Sequence, residues 1–125
     1  MNKRSRPIFL NLLQIRMPVV AVLSFAHRVS GVMMCALIPV LIYLLDLSLR
    51  NEQGYAQALD ILRHPFVKFM AVLVVWGLSH HMLAGIRFLL IDADIGVGRD
   101  SARHSAWMIN VGGLIVPIIA LLVLL

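Results

Sequence analysis

Three apolar runs, each about as long as a bilayer is thick, constrain this chain more than any other feature. Met17 to Leu45 carries no charge except Arg28. Phe69 to Ile86 carries none unless its histidines are protonated, and Ser105 to Leu125 carries none at all. A helix needs about 20 mostly apolar residues to cross the hydrocarbon core. The chain has 125 residues, of which 61% are hydrophobic and only 14% charged. A soluble domain of that size could not cover its surface with so few polar groups. The expected fold class is an all-α membrane protein with three transmembrane helices. It forms a single membrane-anchor domain, 1–125, with a segment at 1–16 and spans at about 18–47, 65–91 and 105–125.

The formal charge of +5 flanks the spans, so it is no sign of nucleic-acid binding. Lys3, Arg4, Arg6 and Arg16 lie before the first span, and Arg99 and Arg103 return to the same side. By the positive-inside rule this predicts a cytoplasmic N-terminus and a periplasmic C-terminus. The first residues do not read as a cleavable signal, because Asn11, Gln14 and Arg16 break the apolar run. Cys35, the single cysteine, reads as a small packing residue. Tyr55, Leu59 and Leu62 fall at helical spacing and predict a short interfacial helix between spans one and two. Pro18 suits a helix start, whereas Pro39 and Pro117 are expected to bend their helices. Gly112 and Gly113 allow a close helix contact. Residues 93–105 are expected to form the loop into span three.

Ionisable residues inside a membrane are costly and usually mark a site. Ser24, His27, Arg28 and Gly31 fall at i, i+3, i+4 and i+7, which puts them on one helix face. A hydroxyl, an imidazole and a fixed cation together suit an anionic or carbonyl-bearing ligand. The plainer alternative is that Arg28, about 15 Å along the helix from Pro18, snorkels to the headgroups while His27 only packs. In span two, His81 lies about 16 Å from Asp92. Antiparallel spans therefore bring His27, Arg28 and His81 to similar depth. Gly85, one turn after His81, would leave a flat gap below its ring. An axial nitrogen, clearance and a cation for the propionates are what a haem requires, although a lone transmembrane histidine can equally be a packing residue. His80 points about 100° away from His81, so the two cannot serve one iron. Arg87 could reach a propionate or only the headgroups. His64 and His104 are placed in loops and given no role.

At these residues the chain resembles a known family. Ser24-Phe25-Ala26-His27-Arg28-Val29-Ser30-Gly31 is similar to the S-x-x-H-R-x-[ST]-G signature of the cytochrome b556 subunit of succinate dehydrogenase. His81-Met82-Leu83-Ala84-Gly85-Ile86-Arg87, followed by Asp92, resembles its second signature, H-x-x-x-G-[IL]-R-H-x-x-x-D. Arg6-Pro7 and Leu13-Gln14-Ile15-Arg16-Met17-Pro18 match the family's entry into span one. Phe88 stands where the second signature has histidine.

The resemblance implies a multi-pass subunit of a bacterial inner membrane. It would work with a second small anchor subunit, an iron–sulfur subunit and a flavoprotein subunit that pass electrons from succinate to ubiquinone. It implies His81 as an axial ligand of haem b, shared with the partner anchor, and His27 near a propionate, with Arg28 in the cofactor-binding set. Ser24 and Arg28 would bind the quinone. A fumarate reductase anchor is a close alternative. A small transporter using Arg28 and His81, or an anchor without cofactor, are the more distant ones.

Overall fold

The computed structural model describes residues 16–124, and all regular elements among them are helices: α1 (Val19–Arg50), α2 (Glu52–Arg63), α3 (Pro65–Asp92), α4 (Arg99–Gly112) and α5 (Ile115–Leu124). Lys3, Arg4, Arg6, Pro7, Asn11 and Leu13 to Ile15 lie outside the described residues. Three helical stretches are long and apolar enough to cross a membrane: Val19–Arg50, Pro65–Asp92 and Arg99–Val123. The three expected spans are therefore matched, the first two running on to Arg50 and Asp92 and the third beginning earlier, at Arg99.

Local chemistry sets the boundaries. Pro18 caps α1, and the Pro18 carbonyl accepts from the N–H groups of Ala21 and Val22. α1 continues through Pro39 to Arg50 without interruption. Asn51 ends it, and its side-chain oxygen accepts from the Gly54 N–H at 2.8 Å, starting α2. His64 caps α3 in the same way, since the Phe66 N–H donates to its Nδ1 at 3.3 Å, and Pro65 occupies the first helical position. After α3 the chain turns sharply. Asp94 and Gly96 adopt left-handed backbone, with φ of 61° and 76°.

Span three differs from the expectation. Its helix begins at Arg99, so the loop is 93–98, and His104 is helical rather than in a loop. The interruption falls at Gly113 and Leu114, not at Pro117. Proline has no N–H to give the carbonyl four residues earlier, and for Pro117 that carbonyl is Gly113. The Ser79 hydroxyl donates to it instead, at 3.5 Å. The distortion thus appears one turn before the proline that causes it.

α1 packs along α3, and α4 and α5 close against both. Leu23, Ala84 and Ala106 are fully buried at the crossing, flanked by Val19, Val20, Phe88 and Ile109. Lipid is as apolar as leucine, so close packing through small residues, rather than transfer from water, stabilises such a crossing. Gly113 serves this role, since a Cβ there would sit 3.4 Å from His80 Nδ1. Gly112 has nothing within 4 Å. α2 forms where expected but turns Gly54 and Ala58 inward, against the end of α1 at Leu47, and leaves Tyr55 and Leu62 exposed. Cys35 is exposed rather than packed. Few residues of α1 are fully buried within the chain: Leu23, Ser30 and Leu47.

Candidate functional site

The face read from α1 meets α3 at His81. The imidazoles of His27 and His81 stack with centroids 4.0 Å apart and planes 14° from parallel. Each histidine also lies against a glycine of the opposite helix. A Cβ at Gly31 would come 3.0 Å from His81 Cε1, and a Cβ at Gly85 would come 3.6 Å from His27 Nε2. The expected gap at Gly85 therefore lies under His27, and His81 rests on Gly31. Antiparallel packing permits this exchange, and the rotation of the two helices about their axes selects it. The pattern His-x-x-x-Gly occurs on both, at 27–31 and 81–85, so each ring finds the other helix's glycine.

Hydrogen bonds fix the His81 ring. Its Nδ1 lies 3.0 Å from the His27 carbonyl oxygen and 3.2 Å from Ser30 Oγ. A carbonyl can only accept, so Nδ1 bears a proton, and in the neutral ring the lone pair is then on Nε2. Ser30 Oγ itself donates to the His27 carbonyl at 2.8 Å. Ser30 is fully buried, and no role was read for it from the sequence. The available signal was its place one residue before Gly31, three after His27, where a serine hydroxyl reaches back to a carbonyl.

Ser24 and Arg28 share the His27 face, but their surroundings differ. Ser24 is half-buried and Arg28 is exposed. Among the described residues no hydrogen bond or ion pair engages either side chain. Both lie within about one turn of His27 on α1. Phe88 meets His27 edge-on at 5.2 Å between centroids, and the Arg87 guanidinium lies 5.6 Å from the Phe88 ring.

Two residues depart from the sequence reading or sharpen it. Arg87 is drawn inward rather than toward the headgroups, and its Nη1 is buried with no hydrogen-bond partner among the described residues. It is 5% exposed, and it donates from Nε to Ser105 Oγ and from Nη2 to the Ala102 carbonyl, both at 2.9 Å. The early start of α4 puts those acceptors beside it. His80 is buried, stacks on Trp76 at 5.5 Å and faces Gly113, away from His81. Its Nε2 is buried with no hydrogen-bond partner among the described residues.

A family model described as "Succinate dehydrogenase/Fumarate reductase transmembrane subunit" matches residues 2–121. The chain belongs to this family. It is similar to the succinate dehydrogenase cytochrome b556 subunit of Coxiella burnetii, with 28% identity over 116 residues, 92% of this chain and 93% of the relative. It is similar also to the subunit of that name from Paracoccus denitrificans, with 26% identity over 122 residues, 98% of this chain and 94% of the relative. As a member of the family it is a membrane subunit of an oxidoreductase complex. Within that frame, the stacked histidines join the two motifs that carry the resemblance, one from each of the first two spans.

Proposed function

We propose that this chain is the cytochrome b anchor subunit of a bacterial succinate dehydrogenase, set in the inner membrane with its N-terminus cytoplasmic and its C-terminus periplasmic. It holds haem b jointly with a second small anchor subunit. It also helps to form the ubiquinone-reduction site, which takes electrons from succinate through the flavoprotein and iron–sulfur subunits. Both relatives are named for succinate dehydrogenase, which favours this direction over fumarate reduction.

The single observation that supports the haem reading is the locked ring of His81. With Nδ1–H donating to the His27 carbonyl, the ring offers a neutral Nε2 lone pair in a fixed orientation, which is the form and the support that metal-ligating histidines have. His81 would hold the haem iron through Nε2, and the partner anchor would supply the second protein ligand. When bound, haem b supplies reversible one-electron transfer at a ligated iron. His27 and Arg28 are assigned to its propionates.

Ser24 and Arg28 support the quinone reading. Ser24 lies about 9 Å from Pro18 along α1, shallow enough for a polar headgroup whose tail stays in lipid. Its hydroxyl donates to a quinone oxygen. Arg28 stabilises the negative charge that develops there on reduction, a placed cation being worth most in a dry site.

The test is a reduced-minus-oxidised visible spectrum of membranes that hold this chain with its partner anchor, with and without His81→Ala. A b-type band lost or shifted in the variant supports ligation by His81. Assembled subunits with no band in either sample would sink the haem assignment.

A further inference from the structure

At the end of the bundle that carries Met17, Asp92 and Arg99, a cleft of about 510 Å³ opens between the start of α1 and the first turns of α4. Arg99, Arg103 and Trp107 line it at i, i+4 and i+8, one side of the helix. Val19 and Val20 form the opposite wall. Both arginines are exposed, and among the described residues neither makes a hydrogen bond or an ion pair. Asp92, Asp94 and Asp100 are exposed at the same end, but none of them lines the cleft.

A second cavity, about 360 Å³, shares Met17, Val19 and Trp107 with the first and continues past Trp76 to Leu114. Its lining is apolar except for His80 and Asn110. Arg99 to Leu114 is about 22 Å by the helical rise. One leaflet with its headgroups is about as deep, roughly 20–22 Å. The groove is thus cationic at its mouth, aromatic in the middle and apolar below.

We propose that this groove seats an anionic phospholipid of the adjoining leaflet, with its phosphate on Arg99 and Arg103, its glycerol region against Trp107 and an acyl chain in the inner cavity. Guanidinium groups match phosphate oxygens in paired hydrogen bonds. Indoles favour the level between headgroup and chain. An acidic protein surface would also meet two arginines, but it has no use for the apolar cavity beneath them. That continuity of head and tail selects a lipid. The proposal is independent of haem and quinone binding.

The assembled complex, in nanodiscs of equal phosphatidylglycerol and phosphatidylcholine, is released and its retained lipids are counted by native mass spectrometry. The expected result is retained phosphatidylglycerol in excess over phosphatidylcholine. Arg99→Gln with Arg103→Gln should lower that excess by on the order of five-fold per arginine. Arg63→Gln, at the other end, should leave it unchanged. Ala26→Leu, which narrows the inner cavity, should lower total retention of both lipids without altering the charge. An unchanged ratio in the double variant overturns the proposal, as does displacement of the lipid by millimolar inorganic phosphate. So does loss of the soluble subunits from the double variant with lipid retention intact. A cleft filled by residues 1–15 or by a partner chain retains no excess lipid and overturns it too. If the double variant fails to assemble, each single variant is read for the same ratio, and no change in either overturns it.

Discussion

The imidazole of His81 is held through Nδ1 by the carbonyl of His27, one ring stacked on the other at 4.0 Å. One residue of α1 therefore orients the α3 ring twice, through its backbone and through its side chain. This double hold makes the His81 orientation sensitive to changes in α1 that never touch Nε2.

Ser30→Ala removes the second partner of His81 Nδ1 while leaving the His27 carbonyl in place. Loss of one supporting hydrogen bond of this kind costs about 10–100-fold in metal affinity in known sites. The low end is expected, because one partner remains. The haem content of the purified complex and its midpoint potential, followed by redox titration, check this.

Gly31→Ala and Gly112→Ala should behave oppositely. A Cβ at Gly31 meets His81 at 3.0 Å, and the ring, already fixed on its other side, has little room to give. Overpacking of this sort costs about 1–3 kcal/mol, here with a shift or loss of the b-type band. A Cβ at Gly112 meets nothing within 4 Å, and alanine there should be neutral or stabilise α4 by about 0.5–1 kcal/mol. Thermal unfolding and the visible spectrum of each variant distinguish the two sites.

Arg28→Ala and Ser24→Ala should impair quinone reduction with the haem spectrum retained. A charge-assisted hydrogen bond is worth about 1.5–3 kcal/mol, so kcat/KM for quinone should fall roughly 10–100-fold for Arg28→Ala. A smaller fall is expected for Ser24→Ala, which removes a neutral donor. Steady-state kinetics over a range of quinone concentrations provide the check. An unchanged kcat/KM in both variants removes them from the quinone site.

Arg87→Ala should loosen α4 from α3, since it deletes both bonds to Ser105 and Ala102. Arg87→Met fills similar space without a charge and should cost less, because a buried charge also carries a desolvation penalty. Thermal stability should fall by about 2–4 kcal/mol for alanine, with the haem band unmoved in both variants. A lost band in Arg87→Met would instead give Arg87 a role at the cofactor.

Gly54→Ala places a Cβ against the Leu47 carbonyl. Backbone cannot move aside as a side chain can, so α2 should detach from the end of α1. The measurement is protease sensitivity of residues 52–63, which should rise well above that of the native chain.

The sequence by itself determined how many times the chain crosses a membrane, because length and hydropathy are summed along one segment and need no neighbour. It also determined that Ser24, His27, Arg28 and Gly31 share a face, because the helical period fixes which residues of one helix look the same way. Antiparallel spans brought His27 and His81 to one depth by counting alone. The tertiary structure decided what each of those side chains touches. Which glycine each ring rests on depends on how α1 and α3 are rotated about their axes, a matter of ridge and groove packing between them. Ser30 gained its part only once His81 was brought against it. Arg87 turned to α4 because that helix starts at Arg99, and span three broke at Gly113 because Pro117 and Ser79 act on the same carbonyl. Each of these relationships joins residues distant in the chain, and no periodicity within a single helix encodes them.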